Sequence, residues 1–155
     1  AHVWRINSGG AELNDTLGRR WAADTAYLPG GAGYIGGIAT AFNVPIGGTA
    51  DTPLLQSERY SLDGYAFDVP NGVYTVTLSF AENYYGYAGA RIFDVRIEGL
   101  VALSGFDIFA AAGGKSRAVE RSFVVTVSDG RLDVTFGQRK NAPTVQAIAV
   151  QSALP

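Results

Sequence analysis

From Val73 the chain reads "VYTVTLSF", which sets Tyr74, Val76, Leu78 and Phe80 on one side of an extended segment and Thr75, Thr77 and Ser79 on the other. Period-two alternation marks a half-buried strand, because successive side chains of a pleated chain leave opposite faces. The pattern returns in "IFDVRIEG", with Phe93, Val95 and Ile97 in phase against Asp94, Arg96 and Glu98. It returns again in "SFVVTV" (Phe123, Val125, Val127) and "RLDVTF" (Leu132, Val134, Phe136). "YAFDV" at Tyr65–Val69 reads as a shorter strand, and the apolar run from Thr144 to Val150 as a strand buried on both sides or one closing the N-terminus onto the C-terminus.

Turn chemistry sits between these runs. Pro70-Asn71-Gly72 and Ser128-Asp129-Gly130 combine fixed or turn-forming residues with a glycine tolerant of positive φ, so each is expected to close a hairpin, and Gly99 to turn the chain into "LVAL". Short strands at roughly 8–12 residue spacing, with no helical pattern between them, predict two packed antiparallel sheets. The fold expected is an all-β, jelly-roll-like β-sandwich forming a single domain over residues 1–155. "YLPGGAGYIGGIATAFNVPIGGTADTP" departs from the pattern: rich in glycine, alanine and proline, it is expected to be a long functional or mobile loop.

Charge narrows the function. Twelve basic and fourteen acidic residues leave a net charge of −2, and no basic run is present to neutralise successive phosphates, so nucleic acid is not an expected partner. No stretch reaches the roughly 18–20 apolar residues that span a bilayer, so no membrane partner is expected either. With no cysteine and only His2 as histidine, a disulfide framework, a thiolate metal site and a Ser-His-Asp triad are excluded. Absent cysteine fits both a cytosolic protein and an exported bacterial one.

Candidate chemistry therefore rests on aromatics. In "NYYGYAGA" Tyr84, Tyr85 and Tyr87 follow a strand, and adjacent tyrosines cannot both enter one core, so at least one faces outward. From pattern alone the cluster is either a binding surface or a local packing knot. A phenol offers a rigid apolar face and a hydroxyl, which match the apolar C–H face and the hydroxyls of a sugar ring. Tyr74, Trp4 and Trp21 are read as core instead.

Six segments in order, "INSGG" (Ile6–Gly10), "DTAY" (Asp24–Tyr27), "QSERY" (Gln56–Tyr60), "FAENYYGYAGARIFDVRIEG" (Phe80–Gly99), "FDIFAAAGG" (Phe106–Gly114) and "NAPTVQAIAV" (Asn141–Val150), give the chain a resemblance to malectin domains, also classed as family 57 carbohydrate-binding modules. The resemblance implies a β-sandwich whose loops at one end hold a short oligosaccharide, glucose-containing in the animal member, between aromatics and one carboxylate. By motif, Tyr60, Tyr84 and Tyr85 are the ligand-binding aromatics, Tyr34 corresponds to a tyrosine of the first variable loop, and Asn141 falls at the carboxylate position. An amide donates as well as accepts, so this departure bears on ligand identity. Glu58, Arg59 and Glu82 are expected to form a hydrogen-bonded or ion-paired group beneath the site, and Asp107 a turn or cap.

The reading that follows is a non-catalytic module that binds a glucose-containing oligo- or polysaccharide and targets an appended catalytic domain, secreted or extracellular and of bacterial origin. Two others stand beside it: a protein-interaction module of the malectin-like type, and a glycoside-acting enzyme drawing on Glu58, Glu82, Asp94 and Asp107. No cofactor and no metal ligand is assigned. A structural calcium ion stays open, since acidic residues lie beside carbonyl-rich loops without forming a dense acidic loop.

Overall fold

The computed structural model describes residues 3–153. In chain order the elements are β1 (Val3–Asn7), β2 (Leu13–Asn14), β3 (Arg20–Ala23), β4 (Ala32–Ala41), α1 (Thr52–Gln56), β5 (Ser57–Asp68), β6 (Gly72–Phe80), β7 (Ile92–Ile97), β8 (Leu100–Phe106), α2 (Ile108–Ala112), β9 (Val119–Val127), β10 (Arg131–Lys140), β11 (Thr144–Val145) and β12 (Ala147–Ser152). One sheet has the order β2-β3-β1-β12-β6-β9 and the other β11-β5-β10-β7-β8, with β4 also paired to β5. Strand pairing is antiparallel apart from β1 with β3. The expected β-sandwich of two largely antiparallel sheets is what forms.

The alternating runs aim as their sequence directs. Tyr74, Val76, Leu78 and Phe80 of β6 are at most 3% exposed and meet Phe93, Val95, Ile97, Leu132, Val134 and Phe136 of the facing sheet in one cluster. Phe80, Phe93 and Phe106 pack within it at tilted to edge-on angles, with ring centroids 5.1 to 5.9 Å apart. Each such side chain contributes about 1.5–3 kcal/mol by leaving water. A smaller cluster joins Trp21 to Ile46, Leu54, Leu55, Ala81 and Ala147. Trp4 packs half-buried against the main core, so both tryptophans are structural.

Two of the expected hairpins are not hairpins. β5 and β6 lie in different sheets, as do β9 and β10. Pro70-Asn71-Gly72 and Ser128-Asp129-Gly130 are corners that carry the chain from one layer to the other. The corners brace one another: the Val69 N–H donates to Gly130 O at 3.1 Å and the Gly130 N–H to Asn71 Oδ1 at 2.8 Å. A turn residue dictates local φ, and sheet membership follows from which partner covers the next apolar face. The Gly99 turn does close a hairpin: Glu98 and Gly99 both have positive φ (53° and 77°), and Ile97 pairs with Leu100.

Three further expectations change. "YAFDV" is the second half of β5, which begins at Ser57. The glycine-rich stretch holds β4, a ten-residue strand along one edge of β5 with a register shift at Ile35/Gly36. The Thr144–Val150 run divides at Gln146: β11 pairs with β5, while β12 lies between β1 and β6 and closes the N-terminus onto the C-terminus. Buried Gln146 bridges the break, its amide accepting from Ala81 N at 2.9 Å and donating to Ala81 O at 2.7 Å.

Candidate functional site

At one end of the sandwich the last residues of β4, the first of β5, the β6–β7 loop and the β10–β11 loop surround a cleft of 430 Å³. Thr40, Phe42, Glu58, Tyr60, Tyr84, Tyr85, Arg91 and Ala142 line it. Thr40 and Glu58 are partners across the β4–β5 ladder. Tyr60 lies two residues further along β5, so strand alternation puts it on the same face.

The paired tyrosines are presented by a buried ion pair. Glu82 accepts from Arg91 through Nε at 2.8 Å and Nη2 at 3.2 Å, and its second oxygen accepts from the backbone N–H groups of Tyr84 and Tyr85, each at 3.2 Å. Glu82 and Arg91 are 1% and 5% exposed. Arg91 also donates through Nη1 to Ala142 O at 2.6 Å, which ties the tyrosine loop to the β10–β11 loop. The Tyr84 and Tyr85 rings stand edge to face with centroids 4.8 Å apart, and the Arg91 guanidinium lies 5.1 Å from the Tyr85 ring. Tyr84 is 63% exposed. Asp107 caps α2 by accepting from Ala110 N and braces the tyrosine loop by accepting from Gly89 N at 2.6 Å.

Glu58 forms the buried floor. Thr144 donates to its Oε2 at 2.7 Å, whereas Gln146 Nε2 reaches Oε1 only at 3.4 Å. Burial pushes its carboxyl above the usual carboxylate range. The Thr144 hydrogen bond and the Arg91 charge oppose that rise, and neighbouring Glu82 adds to it.

Of the residues expected at a ligand site, Tyr60, Tyr84 and Tyr85 come together in this cleft. Asn141 is exposed one residue outside the lining, with positive φ (56°), and its Nδ2 donates to Ala90 O at 2.6 Å. Tyr34 is elsewhere. It sits opposite Tyr65 on β4, its ring beneath the Arg59 guanidinium at 3.3 Å. The six residue steps along β4 from Tyr34 to Thr40 span about 20 Å. The aromatic on that wall is Phe42, which sequence reasoning missed together with Thr40 and Arg91. The phase Thr40, Phe42 against Glu58, Tyr60 identifies them only once β4 is known to pair with β5.

The expected single group of Glu58, Arg59 and Glu82 is divided. Arg59 points away and pairs with Asp24 at 2.8 Å, Glu82 takes Arg91, and Glu58 takes Thr144. Asp94 accepts from Gly105 N at 2.7 Å and pairs with Arg139. Away from the cleft, carboxylate oxygens of Glu98, Asp129 and Asp133 converge within 4.8 Å. There Arg131 already pairs with Asp133 at 2.7 Å, and Glu98 accepts from Asp133 N at 2.8 Å.

Comparison with known proteins agrees with this architecture. Residues 2–152 match the family model of the malectin domain. Malectin-A of Xenopus laevis is 30% identical over 135 residues, a match covering 85% of this chain and 48% of that protein. A probable LRR receptor-like serine/threonine-protein kinase of Arabidopsis thaliana is 34% identical over 138 residues, covering 81% of this chain and 13% of the kinase. In structure, Bacteroides uniformis beta-glucuronidase 2 covalently bound to cyclophellitol-6-carboxylate aziridine superposes with a TM-score of 0.92 at 26% identity, over 99% of this chain and 18% of that one. The chain thus spans about half the length of the malectin it matches and a smaller share of the other two proteins. With the model matched from one end of the described fold to the other, the chain belongs to the malectin domain family.

Proposed function

We propose that this domain is a non-catalytic carbohydrate-binding module that seats a glucose-containing oligo- or polysaccharide on Tyr84 and Tyr85, between Tyr60 and Phe42, with Asn141 at the rim. The observation that carries the reading is the convergence of Tyr60, Tyr84 and Tyr85, from two distant segments, on one accessible cleft. Its 430 Å³ lies within the roughly 300–1,000 Å³ of small-molecule sites. Apolar ring faces stacked on phenols, with hydroxyls completed by the cleft's polar groups, support modest affinity, about 1 mM to 1 μM or −4 to −8 kcal/mol.

Two observations favour binding without catalysis. Glycoside hydrolysis needs two carboxyl groups about 5–9.5 Å apart with the substrate between them. Here Glu82, Asp94 and Asp107 are each engaged in bonds that hold the framework, which leaves Glu58 alone on the cleft. Second, the superposed beta-glucuronidase carries a domain of this shape as 18% of a longer enzyme chain, which supports an appended catalytic domain, while the match to a receptor-like kinase supports a secreted or extracellular setting. Among the described residues no helix is long and apolar enough to cross a membrane.

Calorimetric titration with glucotrioses of α-1,4, β-1,4 and β-1,3 linkage and with the corresponding soluble glucans tests the proposal. Tyr84→Ala and Tyr85→Ala are each expected to weaken binding by about tenfold, equivalent to roughly 1.4 kcal/mol, with the melting temperature unchanged. Silence across the panel rejects it.

A further inference from the structure

Glu58 stands out among the cleft residues. It is 2% exposed, lines the cleft, and among the described residues has no cation of its own. On its strand, Arg59 turns to the opposite side and is taken by Asp24. From the β6–β7 loop, Arg91 spends its short bonds on Glu82 and on Ala142 O. From β11 and the residue after it come only the Thr144 hydroxyl, at 2.7 Å from Oε2, and the Gln146 amide, at 3.4 Å from Oε1 and already serving Ala81 O at 2.7 Å. Across the ladder stands Thr40, and the remaining titratable groups on the cleft are the phenols of Tyr60, Tyr84 and Tyr85. Two buried carboxyls, Glu58 and Glu82, thus share one guanidinium, and it goes to Glu82.

We propose that Glu58 is a ligand-contacting residue: its carboxyl, as the neutral acid, donates a hydrogen bond from Oε1 to a hydroxyl of the sugar seated on Tyr84 and Tyr85, and affinity falls as that carboxyl ionises. This rests on the carbohydrate reading of the cleft. Both protein neighbours bring donor hydrogens to this carboxyl, so the acid's own hydrogen is available to the cleft side. A pyranose laid over the floor removes the remaining water, and an ionised carboxylate sealed there without a cation is disfavoured while a neutral acid is not. The upward displacement of the Glu58 carboxyl by burial acts in the same direction. By linkage, a ligand that prefers the protonated site binds more weakly as pH rises.

The test is titration of wild type, Glu58→Gln, Glu58→Ala and Tyr84→Ala with the same three glucotrioses at about pH 5 and about pH 8. Expected results are a wild-type affinity about fivefold weaker at the higher pH, a Glu58→Gln affinity near the wild-type low-pH value with the pH trend abolished, and an approximately tenfold loss in Glu58→Ala. Tyr84→Ala is expected to lose affinity yet keep the pH trend. A flat wild-type profile, a Glu58→Gln profile that still slopes, or a Glu58→Ala protein that binds as well as wild type overturns the role of Glu58 and leaves the carbohydrate reading standing. Absence of binding by the wild type at both pH values rejects both. The wild-type and Glu58→Gln profiles decide the matter even where Glu58→Ala fails to fold.

Discussion

Arg91 positions the proposed sugar platform without having to touch the sugar: it neutralises Glu82, and Glu82 in turn holds the Tyr84 and Tyr85 backbone. Arg91→Ala strands a carboxylate that is 1% exposed, and breaking a buried pair by removing one partner costs about 3–5 kcal/mol. Urea unfolding is expected to show a lower midpoint with an unchanged m-value. Glu58 gives a pH signature. Its folded-state carboxyl lies above the ordinary value because burial outweighs its hydrogen bonds, so its contribution to stability is complete below the ordinary carboxylate range and is lost as pH rises through the raised value. Glu58→Gln should therefore gain melting temperature relative to wild type as pH rises above the ordinary carboxylate value of about 4, as followed by circular dichroism. At this scale the sequence was legible where neighbours constrain each other: two adjacent tyrosines cannot both enter a core, and Tyr84 is exposed. It was not legible where a contact depends on long-range pairing. Tyr34 and Phe42 are both aromatics in one glycine-rich stretch, and only the β4–β5 register puts one under Arg59 and the other on the cleft.

β5 organises the elements around the site. Its twelve residues pair with β4 along one edge and with β11 and then β10 along the other, and its first residues carry Glu58 and Tyr60. The loop leaving β1 packs on its backbone at that point: Gly9 has φ 70°, and a Cβ there would lie 1.9 Å from the Glu58 carbonyl oxygen. Gly18 has a similar φ of 79° and open space around it. Gly18→Ala is thus expected to show only the left-handed penalty, about 1–2 kcal/mol. Gly9→Ala is expected to lose roughly 2 kcal/mol more in chemical denaturation and to weaken glycan binding, because the segment beneath Glu58 must shift. Equal costs for the two variants would show that this approach is not tight. Alternation identified the buried faces of β6, β7, β9 and β10, and glycine marked where the chain turns. What pattern did not supply was lateral partnership. Asp129-Gly130 permits a reversal, yet Leu132, Val134 and Phe136 finish in the sheet opposite Phe123, Val125 and Val127, because facing layers bury both apolar rows against each other.

For the molecule as a whole, the position of the cleft relative to β1 and β12 bears on the proposed targeting role. β1 runs from Val3 toward Gly9, which lies against Glu58, and β12 is antiparallel to it, with Val3 beside Gln151 and Asn7 beside Ala147. Both strands therefore have their outer ends about 20 Å from the cleft floor, at the opposite end of the sandwich. A catalytic domain joined at either side leaves the tyrosines facing away from the linker. Joining a weak binder to a surface converts each later encounter into an intramolecular one at an effective concentration near 1 mM for a short flexible linker. With a dissociation constant of about 0.1 mM, the module is bound roughly ten times as often as it is free whenever the catalytic domain is already engaged on the polysaccharide. Fusing the domain to either terminus of a glycanase that lacks a binding module is accordingly expected to raise release of reducing sugar severalfold from an insoluble glucan that the domain binds. Turnover of a soluble trisaccharide, which has no surface to concentrate on, should not change. Introducing Tyr84→Ala and Tyr85→Ala into the fusion should return the insoluble-substrate rate to that of the bare enzyme. A gain that survives these substitutions, or one that extends equally to the soluble substrate, would trace to stabilisation of the enzyme and not to attachment through this cleft.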